Sequence, residues 1–118
     1  LSLGILLVSC QNPPTNNIDG CVNTVTGLIP VDSMGLTLIH EHMLVDFIGA
    51  DSISSDRWDR DSVLDKVLPY LLEVKKHGVR TILDCTPSFL AKDPLLLKSL
   101  SEKSGIQILT NTGFYGAV

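Results

Sequence analysis

The 118 residues are 44% hydrophobic and 19% charged, a balance that suits a packed core and excludes a disordered chain. Nine lysines and arginines stand against thirteen aspartates and glutamates, for a formal net charge of −4. The basic residues are scattered, with only Lys75 and Lys76 adjacent, so the footprint of a nucleic-acid binder is missing. The length allows one small domain or a piece of a larger one.

Leu1 to Val8 is an apolar run broken only by Ser2 and Gly4, and it stops at Ser9-Cys10. It is too short to cross a bilayer, which takes roughly 20 apolar residues. It fits the end of a secretory signal peptide whose basic start lies upstream, since the first residue is not Met. Leu7-Val8-Ser9-Cys10 resembles a bacterial lipobox, which would leave Cys10 as a lipidated N-terminus. The competing reading is a buried N-terminal strand. Residues 11–18 are polar and rich in Pro and Asn, as a tether is. The expectation is therefore a signal end at 1–10, a tether at 11–18 and a folded domain from 19 to 118. Such a protein is exported to the bacterial envelope or periplasm and touches membrane only through its lipid. If Cys10 carries lipid, Cys21 and Cys85 remain, and two separate buried thiols are expected.

The region from Val22 to Ile29, interrupted by Gly27, predicts a short hairpin or edge strand. Leu36 to Ile39 predicts an interior strand running into His40-Glu41-His42. Asp51 to Asp61 reads as a solvated, charge-rich loop. Val63, Leu64, Val67, Leu68, Leu71, Leu72 and Val74 then recur at helical spacing. That predicts a helix over 62–77 capped by Asp61 and stopped by Gly78. Pro69 predicts a bend or break near Val67. Val79 to Cys85 reads as a buried strand. Asp93-Pro94 opens a second helix, with Asp as cap and Pro in the first turn, ending at Ser104-Gly105. Ile106 to Thr110 is the third strand. Strands alternating with helices predict a parallel sheet with helices outside it.

His40 and His42 stand two apart at the end of an apolar strand. Strand side chains alternate faces, so both imidazoles project the same way while Glu41 points to the other. Such a pair suits zinc, which favours histidine nitrogen. His-x-His alone is a weak signal, because many buried histidines are only hydrogen-bonded. The helical motif H-E-x-x-H fails, since Leu44 stands four after His40.

The surrounding residues are more specific. Gly35-Leu36-Thr37-Leu38-Ile39-His40-Glu41-His42-Met43 resembles the first signature of the phosphotriesterase family of the amidohydrolase superfamily. Thr26-Gly27-Leu28-Ile29-Pro30 with Met34-Gly35 is similar to that family's opening hairpin. Gly78 to Asp84 resembles its second strand, and Thr112-Gly113-Phe114-Tyr115 the end of its third. Together the matches cover roughly residues 24 to 115.

The resemblance implies the N-terminal part of a (β/α)8 barrel, with about three of its strands present after a short hairpin. It implies two divalent metal ions, usually zinc, bridged by hydroxide, with His40 and His42 as ligands of the more buried ion. A bridging carboxylated lysine, two further histidines and an aspartate come from later strands in that family, and Lys92 and Lys98 do not match the lysine. The implied activity is hydrolysis of a lactone or carboxyl ester, or of a phosphotriester. A homodimer is suggested by analogy with relatives. Tyr115 matches an aromatic position near metals and substrate in lactonase members; its alternative is a packing tyrosine. Asp84 reads as a hydrogen-bonding scaffold residue and His77 as a surface residue at a helix end. Ala91-Lys92-Asp93 departs from the family's Gly-Arg-Asp, which leaves the Asp cap and puts the arginine contact in doubt. The segment alone is expected to be inactive. A second function is a lipid-anchored binding protein that keeps the barrel without its chemistry.

Overall fold

The computed structural model describes residues 20–113. Cys10 and its tether, and Tyr115, lie outside the described residues. Strands β1 (Cys21–Thr24) and β2 (Gly27–Pro30) form the expected antiparallel hairpin. Its turn is closed by the Thr24 hydroxyl, which donates to the Gly27 carbonyl at 2.7 Å. Gly27 takes φ +125° there, a conformation that side chains with a Cβ rarely adopt. The hairpin docks on the sheet through Val25 N–H, which donates to the Ile108 carbonyl at 2.9 Å.

Strands β3 (Leu36–Glu41), β4 (Val79–Asp84) and β5 (Gln107–Thr110) form a parallel sheet in that order. Helices α1 (Arg60–Lys76) and α2 (Pro94–Ser104) connect them. Both helices pack on one side, where Leu64 and Leu71 of α1 meet Leu96, Leu97 and Leu100 of α2 over Val79, Ile82 and Ile108. This is the alternating order that the sequence predicts, and it sets all three strand C-termini at one end. Among the described residues no helix is long and apolar enough to cross a membrane.

Two local expectations are corrected. The cap of α1 is Asp59, whose carboxylate accepts from Ser62 N–H at 2.8 Å, so the cap lies two residues before the Asp61 expected. Trp58 decides this: its indole N–H donates to Asp93 at 2.8 Å and pins the chain just before Asp59. The helix also continues through Pro69, without the break that is one of the two outcomes expected there. Leu64 and Leu71, one on either side of Pro69, are both buried in the same core. That shared burial offsets the roughly 3 kcal/mol an interior proline costs. At the far end His77 is exposed and Gly78 takes φ +92°. The α2 expectation holds in detail. Asp93 accepts from Leu95 and Leu96 N–H, Pro94 follows it, and Gly105 ends the helix at φ +70°.

Candidate metal centre

Beyond Leu38 the pairing of β3 with β4 slips: Leu38 faces Ile82, but Glu41 faces Asp84. Three steps along β3 thus match two along β4, and the extra residue lies at Ile39-His40. This bulge moves Glu41 onto the helix side with Leu38, Met43, Val67 and Tyr70, and out of the site. His40 ends on the other side, at the C-terminal end of the strand. His42 falls one residue past β3, and its ring still meets that of His40 edge-on, with centroids 5.3 Å apart and planes at 71°. Bulges re-aim side chains in this way near functional sites.

The two histidines line a cleft of about 540 Å³ with Val45, Phe47, Cys85, Pro87, Leu90, Asn111 and Gly113. Each strand of the parallel sheet contributes at or just past its C-terminal end, the position of active sites in parallel α/β barrels. The floor is fixed by β4. Asp84 is 2% exposed; its carboxylate accepts from Met43 N–H at 2.8 Å and from Thr86 N–H at 3.0 Å. It is thus the scaffold residue expected. His42 Nδ1 shares a 3.0 Å hydrogen bond with the hydroxyl of the buried Thr86. Nε2 remains for another partner, while His40 makes no side-chain hydrogen bond among the described residues.

Lys92 and Lys98 each have a partner of their own. Lys92 Nζ donates to the Asn111 carbonyl at 2.7 Å, and Lys98 sits 3.9 Å from Glu102 on the surface of α2. Ala91 is the one non-glycine among the described residues with positive φ, +76°. It stands where the resembled family carries glycine, so the substitution stores roughly 1 kcal/mol of backbone strain. Cys21 and Cys85 are separate free thiols, as expected, but each is half-buried and not buried. Asp93 joins the loop before α1 to the segment beside the cleft. Burial pushes its carboxyl up, but hydrogen bonds from Arg60, Trp58 and Leu96 N–H outweigh that and hold it below the ordinary 3.8.

Thr86 and Asn111 are the site residues that sequence reasoning missed. Both lie just past a strand end that borders the His pair. That placement was the available signal.

No group of three His, Cys, Asp or Glu side chains is poised for a metal among the described residues. The donors present fit as two ligands of one ion: two imidazoles in contact, open to a cleft, one already tied at Nδ1.

A cleft that carries a histidine pair at the C-terminal ends of parallel strands has the placement of active sites in parallel α/β barrels. Residues 20–118 match the model of the phosphotriesterase family, and the chain belongs to that family. It is 27% identical to the N-acetyltaurine hydrolase of Bos taurus, covering 85% of this chain and 36% of that protein. It is 25% identical to the phosphotriesterase homology protein of Escherichia coli (strain K12), over 71% of this chain and 28% of that one. The chain thus spans about a third of the length of such relatives. Among solved structures it resembles the organophosphorus hydrolase from Deinococcus radiodurans, at 30% identity and a TM-score of 0.70, covering 81% of this chain and 29% of that one. It also resembles a mutant of a phosphotriesterase-like lactonase from Deinococcus radiodurans, at 32% identity and 0.71, covering 79% and 29%. The hairpin and three parallel strands are thus the opening part of a (β/α)8 barrel, and the family's members are generally binuclear metal enzymes.

Proposed function

We propose that the intact protein is a metal-dependent hydrolase of ester-like bonds, with His40 and His42 as two ligands of a binuclear zinc centre. The observation that carries this reading is the contact of the two imidazoles at a barrel-strand C-terminus, with His42 held by Thr86. Divalent ions held there would supply a nucleophile from water near neutral pH and polarise the carbonyl or phosphoryl oxygen of the substrate. The chain's own residues bind and exclude. His40 and His42 hold metal through imidazole nitrogen. Val45, Phe47, Pro87 and Leu90 form an apolar wall that suits the acyl part of a lactone or carboxyl ester and keeps water from it. That wall, with the likeness to a lactonase, favours lactones over phosphotriesters. Tyr115, at a position where the resembled lactonases carry an aromatic, would supply an aromatic substrate contact.

Residues 18–118 alone bring two imidazoles, His40 and His42, to the proposed site, where a catalytic zinc site takes three protein ligands. Activity belongs to the whole barrel, in a monomer or a homodimer. Export and a lipid anchor at Cys10 complete the proposal, supported by the Leu7-Val8-Ser9-Cys10 sequence.

The test is hydrolysis by the intact, zinc-loaded protein of a lactone, an aryl ester, a phosphotriester and an N-acyl amide. The same assays are run on the His40→Ala, His42→Ala variant. Lactone turnover in the wild type, lost in the variant, is expected. Amide turnover alone would move the substrate class toward that of the N-acetyltaurine hydrolases. No turnover of any of the four would favour an anchored binding protein.

A further inference from the structure

The end of β4 holds His42 at the backbone and at the ring. Cys85 N–H donates to the carbonyl of Glu41 at 2.8 Å, and Asp84 accepts from Met43 N–H at 2.8 Å. These two bonds fix the residues before and after His42. The ring meets Thr86 Oγ1 through Nδ1 at 3.0 Å. Thr86 is itself held on every side: its N–H donates to Asp84 Oδ1 and its carbonyl accepts from Asn111 Nδ2, both at 3.0 Å, and it is 1% exposed. Its β-branched side chain has few rotamers to choose from. The hydroxyl is a fixed point.

A neutral imidazole carries one N–H and one bare lone pair. With Nδ1 turned to Thr86, only Nε2 is left to meet a cation, and it can do so only when the proton sits on Nδ1. The Thr86 oxygen must then accept. We infer that Thr86 is a positioning residue for the metal centre: it accepts the Nδ1–H of His42 and selects the tautomer whose Nε2 binds metal. Because the His42 ring meets His40 edge-on, the same hydroxyl also orders the second imidazole, which has no hydrogen-bonded partner of its own among the described residues. The inference rests on the reading of His42 as a metal ligand. Partners of this kind commonly tune metal affinity by roughly 10- to 100-fold.

The experiment uses the intact protein with Thr86→Val, which keeps the shape and removes the oxygen, and Thr86→Ser, which keeps the oxygen. Two properties are measured: zinc affinity by chelator competition, and the His42 tautomer in zinc-free protein by imidazole nitrogen-15 NMR. Thr86→Val is expected to weaken zinc about 10- to 100-fold, with Thr86→Ser restoring it to within roughly threefold of wild type. His42 is expected as the Nδ1–H tautomer in wild type and Thr86→Ser, and as a mixture in Thr86→Val. Wild-type zinc affinity and an unchanged tautomer in Thr86→Val would overturn the inference while leaving the hydrolase reading intact. A wild type that binds no zinc overturns the hydrolase reading instead; an Nε2–H His42 in that protein would overturn the Thr86 contact as well.

Discussion

On the helix side of the sheet, Ile82, Ile108, Leu96 and Leu100 are sealed from solvent, whereas at the C-terminal ends of the same strands His40, His42 and Phe47 stand open. The first region is held by apolar area, with each residue covered by its neighbours on α1, α2 and the sheet. The second is held by hydrogen bonds that the first region aims: Asp84 to Met43 and Thr86, and Thr86 to His42. Stability and chemistry are therefore divided along the strand axis. A parallel barrel uses the same division, with its packed layers on one side and its reactive loops at one end.

The comparison breaks most visibly at Leu100, which is 0% exposed. Leu100→Ala should cost about 2–5 kcal/mol in denaturant unfolding while leaving zinc affinity per folded molecule unchanged. Asp84→Asn should do both kinds of damage. It turns an acceptor of two backbone N–H groups into a poorer one, at about 2 kcal/mol, and it loosens the His42 segment, so zinc affinity falls as well.

Asp93 sharpens the contrast through pH. Its folded carboxyl lies below the ordinary 3.8, so the stability it contributes is present above that value and lost as pH falls through the folded pKa. Asp93→Asn should cost roughly 1–2 kcal/mol at pH 7, with the gap from wild type closing below about pH 4, as urea titrations at several pH values would show. Ala91→Gly should instead raise stability by about 1 kcal/mol in thermal unfolding, by relieving its positive φ. Leu95 lies on α2 with 60% exposure; Leu95→Ala should change stability by less than about 0.5 kcal/mol, the baseline for the others.

The packed region was legible because its signals are local. The period of apolar residues places α1 and α2, and Asp93-Pro94 with Gly105 marks both ends of α2. The errors fell where a distant contact decided a local choice. Asp59 and Asp61 are both fit to cap α1, and the bonds from Trp58 and Arg60 to Asp93, 35 and 33 residues on, fix the chain on either side of Asp59. Pro69 should break a helix in isolation, yet burial of Leu64 and Leu71 carries α1 through it. At the site, the His pair is visible as spacing, and the family resemblance gives that spacing meaning. Strand alternation already sets Glu41 opposite the histidines, but the bulge that sends Glu41 to the helix side and His40 to the cleft depends on register with β4, which no local pattern encodes. Thr86 lies 44 residues from His42, and only the parallel pairing of β3 with β4 brings them together.

The central claim is that His40 and His42 hold metal. The most direct measurement is the metal content of the intact protein after zinc loading and dialysis, beside the His40→Ala, His42→Ala variant with its fold checked by circular dichroism. About two zinc ions per chain in the wild type, with at least one lost in the folded variant, is the result predicted for a binuclear centre. Equal metal content in both proteins, or none in either, would contradict it.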